Sequence, residues 1–167
     1  MTSARPPHRR LIMVDGPAGA GKTTFATGLA AGLGAALAHM DDLYLGWSGL
    51  EGGFRRLEKL VLGPWRDGVP ARFRAYDWAA GTATGRWIEV AASDCLVVEG
   101  CGCAPRRADR YEPVIVWLDG PRDRRWDRVL ERDGEAELPQ LRDWETATAA
   151  HHHRERTAAR AHLRLAQ

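Results

Sequence analysis

Gly16-Pro17-Ala18-Gly19-Ala20-Gly21-Lys22-Thr23 matches GxxxxGK followed by Ser or Thr at every defined position. Just before it, Leu11-Ile12-Met13-Val14 is a short apolar run bounded by charge, the pattern of a buried strand. Just after it, Phe25, Leu29 and Leu33 recur at helical spacing, and Gly34 supplies a stop. Strand, glycine-rich loop and helix, in that order, form the context in which such a loop holds phosphate. Glycines let backbone N–H groups turn inward around phosphate oxygens, and the helix N-terminus adds favourable electrostatics. The expected cradle is Gly16, Ala18, Gly19, Ala20, Gly21, Lys22, Thr23 and Thr24. Lys22 would reach the β/γ-phosphates of a nucleoside triphosphate, and the Thr23 hydroxyl would bind Mg²⁺. The competing reading is a glycine-rich turn without a ligand, and the strand–loop–helix context weighs against it.

The chain has 167 residues, enough for one compact α/β domain spanning residues 1–167, with residues 1–9 expected to be flexible. A net charge of +2 is too small to argue for a nucleic-acid or membrane partner. No apolar stretch approaches membrane-spanning length, and the polar, basic first ten residues lack the apolar core of a secretory signal. Cys95, Cys101 and Cys103 are odd in number, which favours reduced thiols and a cytoplasmic location over a disulfide framework. Cys101-Gly102-Cys103 lacks a second Cys or His pair at zinc-site spacing.

Further along, residues 35–40 read as a second strand that ends at Asp41-Asp42-Leu43-Tyr44. Acidic residues just beyond a strand in an open parallel sheet lie along the ligand crevice. Residues 51–62 form an amphipathic pattern that Gly63-Pro64 should end, and residues 65–87 show no clear period. Within that stretch, residues 72–78 combine cations, aromatics and a carboxylate, suited either to a polar small molecule or to plugging the surface. Cys95-Leu96-Val97-Val98 predicts a strand tipped by Glu99, the position of a magnesium-serving carboxylate beside the first strand. Residues 114–118 predict a fourth strand, residues 122–132 an Arg-laden helix, residues 139–160 one long polar helix, and residues 163–165 a short last strand. His151-His152-His153 reads as a solvated helix face, because successive helical residues point about 100° apart and cannot chelate one metal together. Strands alternating with helices imply a parallel sheet with right-handed crossovers.

With no NKxD sequence for reading guanine, and a chain too short for the larger mechanical ATPases, a small kinase is the expected class. The chain resembles the uridine kinase/phosphoribulokinase-like P-loop kinases, on its loop, Asp41-Asp42-Leu43-Tyr44, Tyr76-Asp77-Trp78, Glu99-Gly100 and the Arg-rich helix. The resemblance implies a three-layer α/β/α fold around five parallel strands in the order 2-3-1-4-5. It implies that Asp41 is the base or orienter for an acceptor hydroxyl, with Asp42 as runner-up, and that Tyr44, Tyr76 and Asp77 face the acceptor. Glu99 would serve Mg²⁺, while Arg124, Arg125 and Arg128, with Arg132 as a further candidate, would clamp ATP phosphates from a lid over residues 122–138. A solvated, internally paired helix face is the competing reading of those arginines. The resemblance breaks after Trp78, where Ala79-Ala80-Gly81 replaces the stretch in which nucleoside-phosphorylating members carry a base-reading His. Which hydroxyl compound accepts the phosphate, a nucleoside or another small metabolite, is therefore left open, and the oligomeric state is unread. A nucleotide-dependent regulatory protein without an acceptor, and a drug-modifying phosphotransferase, are the alternatives.

Overall fold

The computed structural model describes residues 9–167, so most of the segment expected to be flexible lies outside the described residues. Five parallel strands make the central sheet: β1 (Arg10–Asp15), β2 (Ala36–His39), β5 (Cys95–Glu99), β6 (Val114–Asp119) and β7 (Leu163–Ala166). They lie in the order β2-β5-β1-β6-β7. Counted among themselves the five strands run 2-3-1-4-5, as the resemblance implies. The labels differ because an antiparallel hairpin, β3 (Ala71–Arg74) with β4 (Trp87–Val90), is inserted as a separate two-stranded sheet.

Alternation along β1 explains the layers. Leu11 and Met13 enter one core with Leu96 and Val98 of β5, while Val14 enters another with Val97, Val116 and Leu118. Successive side chains of a strand point to opposite faces, so a central strand apolar on both faces needs cover on both. Helix α1 (Lys22–Leu33) covers the second face through Ala26 and Ala30, and Leu33, part of the expected apolar stripe, is left exposed. The first face is covered by α2 (Leu50–Leu57), α3 (Gly63–Asp67), the hairpin and Trp144 of α5 (Leu138–Glu155).

Three local expectations give way. Gly63-Pro64 does not end the second helix, because a π turn over Glu58–Leu62 passes the chain into α3. Pro64 falls in the first turn of α3, where a missing N–H costs nothing, and Gly63 N–H bonds Glu58 O across the wider turn. Residues 71–75 are not irregular: Ala71, Phe73 and Ala75 point inward, while Arg72 and Arg74 point out over the Trp87 ring, each 4.6 Å from its centroid. The long polar helix breaks at Arg156, which takes a left-handed conformation (φ 54°) and starts the short α6 (Thr157–Arg160).

The centre of the sheet carries the stability. Leu96 is fully buried on the face with the larger core, so Leu96→Ala should cost about 2–5 kcal/mol. Urea denaturation followed by circular dichroism checks this, with a lowered midpoint and an unchanged slope as the expected result.

Candidate active site

The site is built where β1, β5 and β2 end side by side, at the rim on which ligands of open parallel sheets bind. The loop from β1 to α1 is held open by glycines whose replacement the fold forbids. A Cβ on Gly16 (φ 149°) would sit 2.0 Å from Leu118 O, and one on Gly19 (φ 75°) would sit 2.2 Å from Arg125 O. The sheet below and the arginine helix α4 (Arg122–Asp133) above thus shape the loop. Arg125 donates to Ala18 O at 3.0 Å and Arg128 to Gly19 O at 3.0 Å, which ties α4 to two of the expected phosphate-cradling residues.

Beneath the loop lies Asp15, completely buried. Its carboxylate accepts the N–H of Gly16 (2.7 Å), Gly102 (2.7 Å) and Ala104 (3.0 Å) and Nε2 of His152 (3.0 Å). Burial alone would raise its pKa, but the bond and charge of His152 and the Ala104 and Gly102 N–H groups outweigh this and lower it. His152 is therefore not on a solvated face, and neither is His151; only His153 of the three is exposed. Leu141, Trp144, Thr148, His151 and His152 form the buried stripe of α5, at helical spacing. That periodicity was the signal for burial, masked by an outward-looking run of polar residues.

A cavity of about 490 Å³ opens above the strand ends, lined by Gly19, Lys22, Thr23, Asp41, Glu99 and Arg132 among others. Residues far apart in the chain meet here. The Thr23 hydroxyl donates to Glu99 Oε1 at 3.2 Å, and His39 Nδ1 lies 2.7 Å from the same oxygen. Glu99 is buried, and its hydrogen bond raises the His39 pKa against the opposing effect of burial. Lys22 is buried and donates to Pro17 O at 2.7 Å. Burial would lower its pKa, but Cys101, Glu99, Asp15 and Asp41 together raise it, so the ammonium stays charged.

Met40–Asp42 form a 3₁₀ turn directly after β2, which aims Asp41 into the cavity. Asp41 keeps solvent-exposed surface because the cavity opens to water, yet protein surrounds it closely. That enclosure and the charge of Glu99 raise its carboxyl pKa, opposed by Lys22 and Arg132. The same turn anchors the arm between β3 and β4: Tyr76 N–H bonds Asp42 O at 3.2 Å, Trp78 Nε1 bonds Asp41 O at 3.2 Å, and Arg86 pairs with Asp42 at 3.2 Å.

Not every expected residue reaches the cavity. Tyr44 is fully buried in the core and donates its hydroxyl to Cys101 O, so it offers no surface to a ligand. Tyr76 packs against Trp78 outside the lining, and Asp77 caps its own turn by accepting from Ala79 N–H (3.1 Å) and Ala80 N–H (2.9 Å). Arg124 is exposed and Thr24, in the first turn of α1, faces solvent, both off the cavity wall. In their place stand Trp47, Trp78, Trp144, Leu141, Asp133 and Glu137, and of the lid arginines Arg132 is the one in the lining. Aromatic residues beside Asp41 hinted at this wall, but Trp144 joins it through the fold alone.

The residues fit a magnesium nucleotide on their own chemistry. A hydroxyl paired with one buried carboxylate, beside a charged lysine, suits a hard cation that keeps waters and is shared with substrate phosphates. Among the described residues no group of three or more His, Cys, Asp or Glu could hold a metal by itself. No helix is long and apolar enough to cross a membrane.

No family model matches the chain, and neither does any curated protein. Solved structures do. A possible uridine kinase from Bacillus stearothermophilus superposes with a TM-score of 0.68 at 19% identity, over 98% of this chain and 91% of that one. A protein from Silicibacter sp. TM1040 described as a fructose transport system kinase gives 0.60 at 21%, over 98% and 92%. Shikimate kinase from Bacteroides thetaiotaomicron gives 0.52 at 18%, over 94% and 85%. At such identities the likeness is one of fold: a five-stranded parallel sheet flanked by helices.

Asp15 makes the site's scaffold acid-sensitive. A carboxylate whose pKa is lowered in the folded state stabilises it above the unfolded value near 3.9, and that stabilisation is lost as pH falls through the folded value. The difference in melting temperature between the wild type and Asp15→Asn should hold steady from pH 5 to 7 and shrink below pH 4, as scanning calorimetry would read.

Proposed function

We propose that the protein is an ATP- and Mg²⁺-dependent phosphotransferase that moves the γ-phosphoryl group to a hydroxyl of a small molecule. The observation that carries this reading is one cavity faced by Lys22, the Thr23–Glu99 pair and Asp41. The first three suit a phosphate donor, and the fourth has no use in holding phosphate. Likeness of fold to small-molecule kinases supports the same class.

In this reading the backbone N–H groups of residues 18–24 cradle the donor phosphates, the Gly16 N–H being held by Asp15, and Lys22 neutralises their charge. Thr23 and Glu99 would hold Mg²⁺, whose charge would offset the negative charge that builds on the leaving diphosphate. Arg128 and Arg132, on a lid spanning residues 122–138, close over the phosphates, and Arg124 takes part only after that lid moves. Asp41 orients the acceptor hydroxyl and takes its proton. The raised pKa of Asp41 strengthens it as a base, although the proton can leave late in a loose transition state. Asp42 holds the Trp78 arm through Arg86 and is the weaker candidate for base. Trp47, Trp78 and Trp144 keep water from the acceptor side, which disfavours hydrolysis.

Two variants test the roles separately. Asp41→Asn should reduce phosphoryl transfer about 10²–10⁴-fold while ATP affinity stays within about threefold. Lys22→Ala should lose nucleotide binding itself by calorimetry. Equal loss of binding and transfer in Asp41→Asn rules out its role as base. Slow ATP hydrolysis that no hydroxyl compound accelerates, and that Asp41→Asn leaves untouched, favours a nucleotide-dependent regulatory protein instead.

A further inference from the structure

The geometry points to a cyclic amino alcohol as the acceptor, bound by its ring against the indoles and by its ammonium group at Glu137; this rests on the phosphotransferase reading and narrows its substrate class. Three indoles from three separate segments line one side of the cavity. Trp47 and Trp78 stand 5.1 Å apart between ring centroids with planes at 66°, and Trp47 and Trp144 stand 6.1 Å apart at 77°. Indoles set nearly at right angles present faces and edges to one volume, the arrangement that attracts a cation to ring faces and receives the C–H face of a saturated ring.

Charge on this side decides between acceptors. Arg132 is committed to Asp133, with Nε and Nη2 each 2.6 Å from a carboxylate oxygen. Lys22 faces the phosphate side, against Pro17 O. Asp41 and Glu137 remain, and among the described residues neither carboxylate accepts a hydrogen bond. Among the described residues lining the cavity, a carboxylate or phosphate on the acceptor would meet the two carboxylates Asp41 and Glu137, and the cations there, Lys22 and Arg132, already have partners in Pro17 O and Asp133. A neutral polyol would serve Asp41 with its hydroxyl and leave Glu137 without a charged partner. An amino alcohol satisfies both: its hydroxyl goes to Asp41, and its ammonium goes to Glu137 and the indole faces.

Matched pairs test this by titration calorimetry on the full chain with Mg²⁺ and ADP present. The pairs are 2-deoxystreptamine against myo-inositol, glucosamine against glucose, and trans-4-aminocyclohexanol against trans-1,4-cyclohexanediol. The expected result is at least tenfold tighter binding of the amine in one pair or more. Glu137→Gln should erase that preference while ADP affinity stays within about threefold. Trp47→Leu should weaken amine binding about tenfold, with circular dichroism and melting temperature confirming that both variants fold. Equal binding within every pair, tighter binding of the neutral members, or no binding at all overturns the amine site. ADP release from ATP separates the two claims. Amine binding without transfer removes the phosphotransferase reading and keeps the amine site; transfer to uridine or myo-inositol with no amine preference does the reverse.

Discussion

One buried carboxylate holds the architecture of the site together. Asp15 lies at the end of the central strand with no access to water, a placement that would cost several kcal/mol if its charge were unpaired. Four donors from three parts of the chain meet it: the start of the phosphate loop, the Gly102–Ala104 segment after β5, and His152 on α5. Each donor fixes a different wall. Gly16 sets the loop, Gly102 follows directly on Cys101 in the cavity lining, and His152 sets the rotation of the helix that carries Trp144 and Leu141. The donor side and the acceptor side of the cavity are thus indexed to one point.

The glycine-rich loop and the elements around it were legible in the sequence because they are local. Eight consecutive residues define the loop, and the strands around it are short apolar runs with nothing to confuse their period. Glu99 was legible by its position at a strand tip, and it meets Thr23 as a strand-terminal carboxylate should. Asp41 was legible for the same reason, and the 3₁₀ turn after β2 explains why it, rather than Asp42, points into the cavity.

The acceptor side was legible only in outline, because it is assembled from side chains whose roles depend on packing. Tyr44 and Tyr76 carry the resemblance, yet one is consumed by the core and the other by the arm's own aromatic stack. Trp144 sits some hundred residues from its neighbour Trp47, and only α5's buried stripe brings it there. The histidine tract failed as a surface for the same reason: hydrophilic residues accept burial when a partner waits, and Asp15 is invisible as a partner until the sheet forms. The Arg-rich helix was legible as a whole, but which of its arginines lines the cavity, Arg132, depends on how α4 docks.

The hairpin carries a consequence for how such a protein diversifies. Its two strands pair only with each other, so their backbone ladder owes nothing to the five-stranded sheet. The arm between them attaches through the backbone carbonyls of Asp41 and Asp42 and one ion pair, and its tip contributes Trp78 to the acceptor wall. Lengthening, shortening or rewriting that arm leaves the phosphate cradle's hydrogen bonds untouched. On the proposed reading, selection can exchange one recipient molecule for another on this scaffold by editing a dozen residues, while the energy-supplying half is inherited intact.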